Sequence, residues 1–249
     1  MSFADAFQTY INNPEICKKI TLYNDDTVII IKDMFPKSLR HYLVIPKSPA
    51  VTHAHPLKVF NDNVKLYDIL EDYVQLTKQY ITDDLVKFGL LEDDPETIKQ
   101  FKQTFIQCGV HSIPSLNNLH IHVMTRDFNS PRLKHKKHFN SFNTRFFVDF
   151  EDLNPIGENN NTEYSDSNSE NLPDTEYSSG SDDSRTEISN YKFEMNPKKL
   201  HDLVKSTPLK CCYCGQSFGN SFSQLKKHLT VEFAKKFDTS KDITCNGMT

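Results

Sequence analysis

Leu119-His120-Ile121-His122-Val123-Met124 is a short apolar run holding two histidines one residue apart. In a strand, alternate side chains share a face, so both imidazoles point the same way. Nine residues before His120 stands His111, and five before it Ser115, within Gly109-Val110-His111-Ser112-Ile113-Pro114-Ser115. A strand, a proline-kinked turn and a second strand would gather these polar groups at one sheet edge. Such a cluster suits nucleophilic chemistry at a phosphate. A neutral imidazole attacks phosphorus, forms a phosphoramidate and splits one displacement into two. A nearby hydroxyl and a protonatable histidine assist the departing oxygen. His41, opening another strand, joins the candidates.

Outward from this run, Thr27-Val28-Ile29-Ile30-Ile31 is β-branched and predicts a buried strand. After a turn at Pro36, His41-Tyr42-Leu43-Val44-Ile45 predicts its hairpin-like partner. Gln103–Gln107 and Leu119–Met124 predict two more strands. Phe3–Ile11 reads as a short helix, and Leu66, Leu70, Tyr73, Leu76 and Tyr80 mark a longer one from Pro56 to about Ile81. Few strands around one sheet with a long helix predict an α+β domain over residues 1–150.

Residues 155–190 carry nine acidic side chains and one base, Arg185. Removing their net −8 from the chain's −4 leaves +4 on the remainder, so the folded parts are mildly basic. So polar a stretch buries too little apolar surface to offset its ordering entropy, and residues 151–190 are expected to be a disordered insert. Its Ser178–Asp183 cluster offers phosphorylation sites, although a plain soluble spacer is the simpler expectation. No apolar stretch approaches the roughly 18 residues of a membrane helix, and Met1–Asp5 lacks a secretory pattern. Of six cysteines, three crowd into Cys211-Cys212-Tyr213-Cys214, unlike a disulfide framework. A reducing compartment, cytoplasm or nucleus, is expected.

Within residues 191–249, Cys211-x2-Cys214 is followed after thirteen residues by His228. This is the spacing of a ββα zinc finger, whose hairpin gives two thiolates and whose helix gives the other ligands. No second histidine follows, but Glu232 lies at i+4 on the same helix face. The expected structural Zn²⁺ site is therefore Cys211, Cys214, His228 and Glu232, with Cys212 a competitor for Cys211. So small a unit hardly folds without its metal.

Between Arg126 and Arg145, bases including Lys134, Lys136 and Lys137 alternate with Phe128, Phe139, Phe142 and Phe146. Bases among aromatics suit a phosphate-tracking surface, though a charge run alone is usually a solvated face. Lys226 and Lys227 add a second basic patch on the finger helix. His53-Ala54-His55 has no thiolate or carboxylate close in sequence to complete a metal site and reads as surface decoration.

Asp33-x2-Pro36-x4-His41-Tyr42-Leu43-Val44-Ile45-Pro46 with Ser115-x4-His120-Ile121-His122 resembles the histidine-triad nucleotide hydrolases and transferases. Gly109–Ser115, Arg126–Pro131, Lys136–Thr144 and the trailing finger resemble, more narrowly, the aprataxin family in its short fungal form, without a preceding forkhead-associated domain. The resemblance implies a histidine-triad fold, an antiparallel sheet with helices, followed by a ββα-like zinc finger. It also implies a hydrolase acting on acid anhydrides, which removes AMP from 5′-adenylated DNA ends and restores a 5′-phosphate through a covalent His–AMP intermediate.

By the same resemblance His120 is the nucleophile, His122 its triad neighbour, His41 an orienting histidine, Ser115 a phosphate contact and His111 the proton donor. Asp33 holds the ribose, Asn118 lies against the AMP, Lys137 faces phosphates and Phe3 is an aromatic wedge on the DNA end. Zinc is structural, and the chemistry needs no cofactor. Nicked or double-stranded DNA ends, RNA–DNA junctions among them, are the expected partners of a nuclear monomer, with cytoplasm also open. One departure stands out: Asn118 occupies the place of the first triad histidine. It keeps hydrogen bonding but cannot carry charge near neutral pH. Two rivals remain, a general nucleoside phosphoramidate or dinucleotide hydrolase and a non-catalytic module binding DNA ends.

Overall fold

Alternation dictates the core. Val28 and Ile30, Tyr42 and Val44, and Ile121 and Val123 face one side of a sheet and pack on a long helix. Their neighbours Ile29, Ile31, Leu43 and Ile45 face the other side, where Phe7, Cys17 and Ile20 cover them. Each fully buried side chain of this size contributes about 1.5–3 kcal/mol, so both faces are firmly specified.

The structure is a computed structural model, and it describes residues 3–156 and 192–237. A 3-10 turn at Phe3–Asp5 leads into α1 (Ala6–Asn12), and another spans Pro14–Cys17. Then come β1 (Thr21–Asn24), β2 (Val28–Lys32), β3 (His41–Pro46), α2 (Pro49–Thr52), α3 (Val64–Lys87), α4 (Pro95–Thr104), β4 (Ile106–His111), β5 (Ile121–Thr125), α5 (Lys136–Asn140) and β6 (Phe147–Asp149). The six strands form an antiparallel sheet in the order β1-β2-β3-β5-β4-β6. After a 3-10 turn at Glu151–Leu153 and the segment outside the described residues, α6 (Pro197–Ser206), the hairpin β7 (Leu209–Lys210) and β8 (Ser217–Gly219), and α7 (Phe222–Lys236) make a ββα unit.

Two boundaries differ from the sequence reading. The long helix begins at Val64, because Asn63 Oδ1 accepts the Leu66 amide and caps it. Leu57 and Phe60 are buried in the turns before it and imitate helical spacing. The strand expected at Gln103–Gln107 runs instead from Ile106 to His111, and α4 occupies the residues before it. Asp94 caps α4 through the Thr97 amide, with Pro95 at its first turn. The acidic segment expected to be disordered lies, from residue 157, outside the described residues. Among the described residues no helix is long and apolar enough to cross a membrane.

The C-terminal unit is fused to the sheet. Leu209, Cys211, Leu225 and Leu229 share one cluster with Met124, Phe128, Leu133 and Phe139. Further along α7, Phe233 and Phe237 enter the main core, and Phe237 meets the rings of Phe101 and Phe105. The Lys236 ammonium sits 4.7 Å from the Phe105 ring centre. Gly109 is required where β4 meets β6: a methyl there would overlap the Val148 carbonyl oxygen and come within 2.8 Å of the Phe147 ring.

Candidate active site

The parity that buries Tyr42, Val44, Ile121 and Val123 against α3 turns His41, His120 and His122 to the opposite face. Register brings them together: Leu43 pairs with His122, and His122 pairs with Gly109. His111 ends β4, its ring 4.7 Å from that of His122 and 4.5 Å from Phe142. The face expected to be shared by His120 and His122 is shared by His41 and His111 as well. Ser115 lies exposed on the loop between β4 and β5.

Hydrogen bonds fix the protons. The Lys37 amide donates to His41 Nδ1 at 3.2 Å, so neutral His41 carries its proton on Nε2. That proton is given to His122 Nδ1, 2.9 Å away. His122 therefore carries its own proton on Nε2, which is buried and has no partner in the protein. His120 donates Nδ1–H to the Asn118 carbonyl at 2.8 Å, which leaves a lone pair on Nε2. One ring thus offers an electron pair and its neighbour a hydrogen. His111 Nε2 is likewise buried without a partner. The Asp33 carboxylate stands 3.5 Å from His41 Nδ1.

Burial keeps these rings uncharged. It pushes His41 down to about 4, with Asp33 opposing, and His111 down to about 3, helped by the charges of the neighbouring histidines. Burial also lowers His120, against the pull of the Asn118 carbonyl and Asp33. His122 goes well below its usual value, for burial first and then its histidine neighbours and Lys37.

Buried Asp127 moves the other way, up to about 6, although Leu39 and Asn129 amides donate to it at 2.9 Å each. Through Leu39 it pins the loop that carries Lys37 to His41.

These directions predict acid sensitivity. An unfolded histidine takes its proton near 6.5, while the folded ones refuse it until the pH is far lower. Their stability is therefore complete above 6.5 and falls away as the pH drops toward 4, by up to about 1.4 kcal/mol per pH unit for each ring. Asp127 opposes this between about 6 and 4, since its folded form takes the proton first. Four rings outweigh one carboxyl. The melting temperature is expected to fall by about 5 °C or more between pH 7 and pH 5, with zinc retention followed by metal analysis. A level profile would mean that the rings are protonated inside the fold.

The sequence reading missed Lys37 and Ser112, and it named Asn118 without foreseeing its partners. Lys37 lies close enough to disfavour the charged forms of His41, His111 and His122. Its place four residues from both Asp33 and His41 was the available signal. Ser112 is buried, and its hydroxyl has no protein partner. Asn118 is buried with its amide nitrogen donating to Gln8 Oε1 and Thr52 Oγ1. Of the six residues expected to meet DNA, Lys136 donates to Asn220 Oδ1 at 2.6 Å and Lys226 to the Leu133 carbonyl at 2.9 Å. Both tether the finger to the sheet domain. Lys134, Lys137 and Lys227 are exposed, and the Phe3 side chain lies outside the described residues. His55 Nδ1 accepts the Leu57 amide, a turn contact.

In the finger, one donor atom each from Cys211, Cys214 and His228 lies within 4.8 Å of the others, and Cys214 Sγ is 3.3 Å from His228 Nε2. Glu232 Oε1 is 3.8 Å from that nitrogen. Three donors are thus gathered, and Glu232, whose Oε1 also accepts from Lys235 at 2.7 Å, stands beside them as the fourth expected for zinc. Cys212 donates to the Arg126 carbonyl instead, which removes it as a competitor.

Paired histidines on an antiparallel sheet, with a finger packed beside them, define a histidine-triad hydrolase carrying a zinc-binding module. Residues 4–138 match the family described as scavenger mRNA decapping enzyme C-terminal binding, and residues 143–235 the C2HE / C2H2 / C2HC zinc-binding finger. The chain is 35% identical to the aprataxin-like protein of Saccharomyces cerevisiae, over 96% of this chain and 99% of that one. It is 33% identical to the aprataxin-like protein of Schizosaccharomyces pombe, over 96% and 85%. The crystal structure of the aprataxin ortholog Hnt3 from Schizosaccharomyces pombe matches with TM-score 0.68 and 31% identity, covering 97% of this chain and 98% of that one. Hnt3 in complex with DNA and guanosine matches with TM-score 0.66 and 32% identity, over 94% and 97%. The chain belongs to the aprataxin family, DNA deadenylases of DNA repair.

Proposed function

We propose that this protein removes AMP from 5′-adenylated ends at nicks and breaks in two steps carried by its histidines. His120 Nε2 attacks the adenylate phosphorus, and the bond to the DNA 5′-phosphate oxygen breaks. The proton for the departing phosphate comes from His111. Uncharged in the empty pocket, His111 gains its proton when anionic phosphates enter and offset the cost of burial. His122 Nε2–H donates to a non-bridging oxygen, where charge builds in the transition state. Water then attacks the His120–AMP phosphorus and gives its proton to His111, left uncharged by the first step; the P–N bond breaks, its electron pair returns to Nε2, and the ring regains its neutral Nδ1–H form. Asp33 holds the ribose, and Ser115, on the pocket's exposed loop, reaches the leaving phosphate.

One observation carries this reading: His120 Nδ1–H is committed to a backbone carbonyl, which leaves a lone pair on the other nitrogen. Zinc, on Cys211, Cys214, His228 and Glu232, holds the finger, and the chemistry runs on imidazoles without a metal. Lys134, Lys137 and Lys227 draw the DNA in, Phe3 stacks on its end, and the protein works as a monomer in the nucleus. The other lysines expected at DNA, Lys136 and Lys226, act as tethers.

The test is a nicked duplex bearing a 5′-adenylate, incubated with the protein for a short time with and without EDTA. AMP release in both conditions supports the reading. Turnover of adenosine phosphoramidate alone would favour a general hydrolase, and binding without turnover a DNA-end reader.

A further inference from the structure

We propose that Gln8 is a positioning residue for the reaction: by holding Asn118 it sets the direction in which His120 presents its reactive nitrogen. The inference rests on His120 being the nucleophile. The chain departs from the triad pattern at Asn118, and there the structure supplies a substitute built from two helices distant in sequence.

The His120 ring is aimed by its bond to the Asn118 carbonyl, only two residues upstream. Any turn of the Asn118 peptide plane therefore turns the imidazole. Asn118 is fully buried, and its Nδ2 donates both hydrogens: to Gln8 Oε1 at 3.1 Å and Thr52 Oγ1 at 3.0 Å. Gln8 turns its oxygen toward Asn118, and its Nε2 donates to Asn12 Oδ1 at 2.9 Å. The amides form an ordered series, Asn12 to Gln8 to Asn118, that ends at the nucleophile's own acceptor.

The surrounding contacts hold the residues on either side of Asn118, and His120 itself. The Asn117 amide donates to the Ala4 carbonyl at 2.8 Å, and its side chain donates to Asp5 Oδ1 at 2.7 Å. The Leu119 amide donates to the Thr52 carbonyl. The Phe7 ring meets His120 edge-on at 5.2 Å. Removing the Gln8 oxygen would leave a buried Asn118 hydrogen without an acceptor, and the loop would rotate to find one. Misplacement by about 1 Å at a reacting group is enough for roughly 100-fold in rate.

The experiment uses the full chain with zinc bound and compares wild type, Gln8→Ala and Gln8→Glu. Glutamate has the same length and keeps an acceptor oxygen for Asn118, while Asn12 can turn its amide to donate to the second. Two quantities are read. The first is steady-state release of AMP from the adenylated nick. The second is the tautomer of His120, from two-bond ¹H–¹⁵N spectra without substrate.

For Gln8→Ala we expect kcat to fall by roughly 10- to 100-fold with KM little changed, and the His120 spectrum to change from a pure Nδ1–H form to a mixture. Gln8→Glu should recover both, while Gln8→Ala should still melt in one cooperative transition, a few degrees below wild type for the unpaired Asn118 hydrogen. Unchanged kcat in Gln8→Ala, a loss confined to KM, or failure of Gln8→Glu to recover would each overturn the proposal. Should wild type release no AMP from DNA, the function proposed above fails, and the tautomer comparison still decides the role of Gln8.

Discussion

Replacing His120 with alanine is expected to lower AMP release from a 5′-adenylated nick by about 10⁴-fold or more, as for other groups that act as one covalent unit. The proton wiring leaves no substitute. His122 carries hydrogen on the nitrogen that faces the pocket, since its other nitrogen accepts from His41. His111 has an unpartnered nitrogen, but burial pushes that ring down to about 3, which makes it a weak base and a poor nucleophile. Quench-flow with ³²P-adenylated DNA would also show whether labelled protein builds up in wild type and is absent in the variant. Turnover of the alanine variant within about 100-fold of wild type would rule out a covalent imidazole intermediate.

The second large effect concerns the metal. Cys214→Ser removes one of the two sulfurs nearest His228, and a structural zinc in so small a unit carries about 10–16 kcal/mol of apparent binding energy. The damage should spread, because Leu225 and Leu229 belong to the cluster beneath the histidine face, and Phe233 and Phe237 enter the main core. Loss of zinc is expected to lower the melting temperature by roughly 10 °C, equivalent to about 3–5 kcal/mol at this chain length. Cys212→Ser is the contrast: its thiol faces the Arg126 carbonyl, so that variant should keep one zinc per chain. Metal analysis of both proteins decides the matter. A Cys214→Ser protein with full zinc and an unchanged melt would refute the ligand assignment.

Patterns of period two were legible in the sequence. The alternation of His120 and His122 with apolar neighbours already placed both rings on one face, and the β-branched runs 28–31 and 41–45 placed the strands beside them. The finger was legible because a zinc site imposes its spacing on the chain. What escaped depends on contacts between segments distant in sequence. Lys136 and Lys226 carry the same charge as the exposed lysines around them, and only the meeting of the finger with the sheet turns them into tethers. Gln8 is 110 residues from Asn118, and nothing in a short helix marks it as an anchor. Asp127 looked like a lone acid in a basic stretch, yet it is a buried acceptor for the Leu39 amide. The β4 boundary was misplaced because Thr104-Phe105-Ile106 favours strand locally, while the Asp94-Pro95 cap decides where the preceding helix sits.

A pocket that holds its imidazoles uncharged exerts little pull on a distant phosphate. On the function proposed above, attraction at range falls to ammonium groups, Lys37 beside the rings and Lys134, Lys137 and Lys227 in water, where ions shield them over about 8 Å at physiological strength. On that reading, capture and bond-breaking fall to different parts of the molecule and answer to different solvent conditions. Added salt weakens the encounter, whereas the dry interior, once filled, works at its own pace.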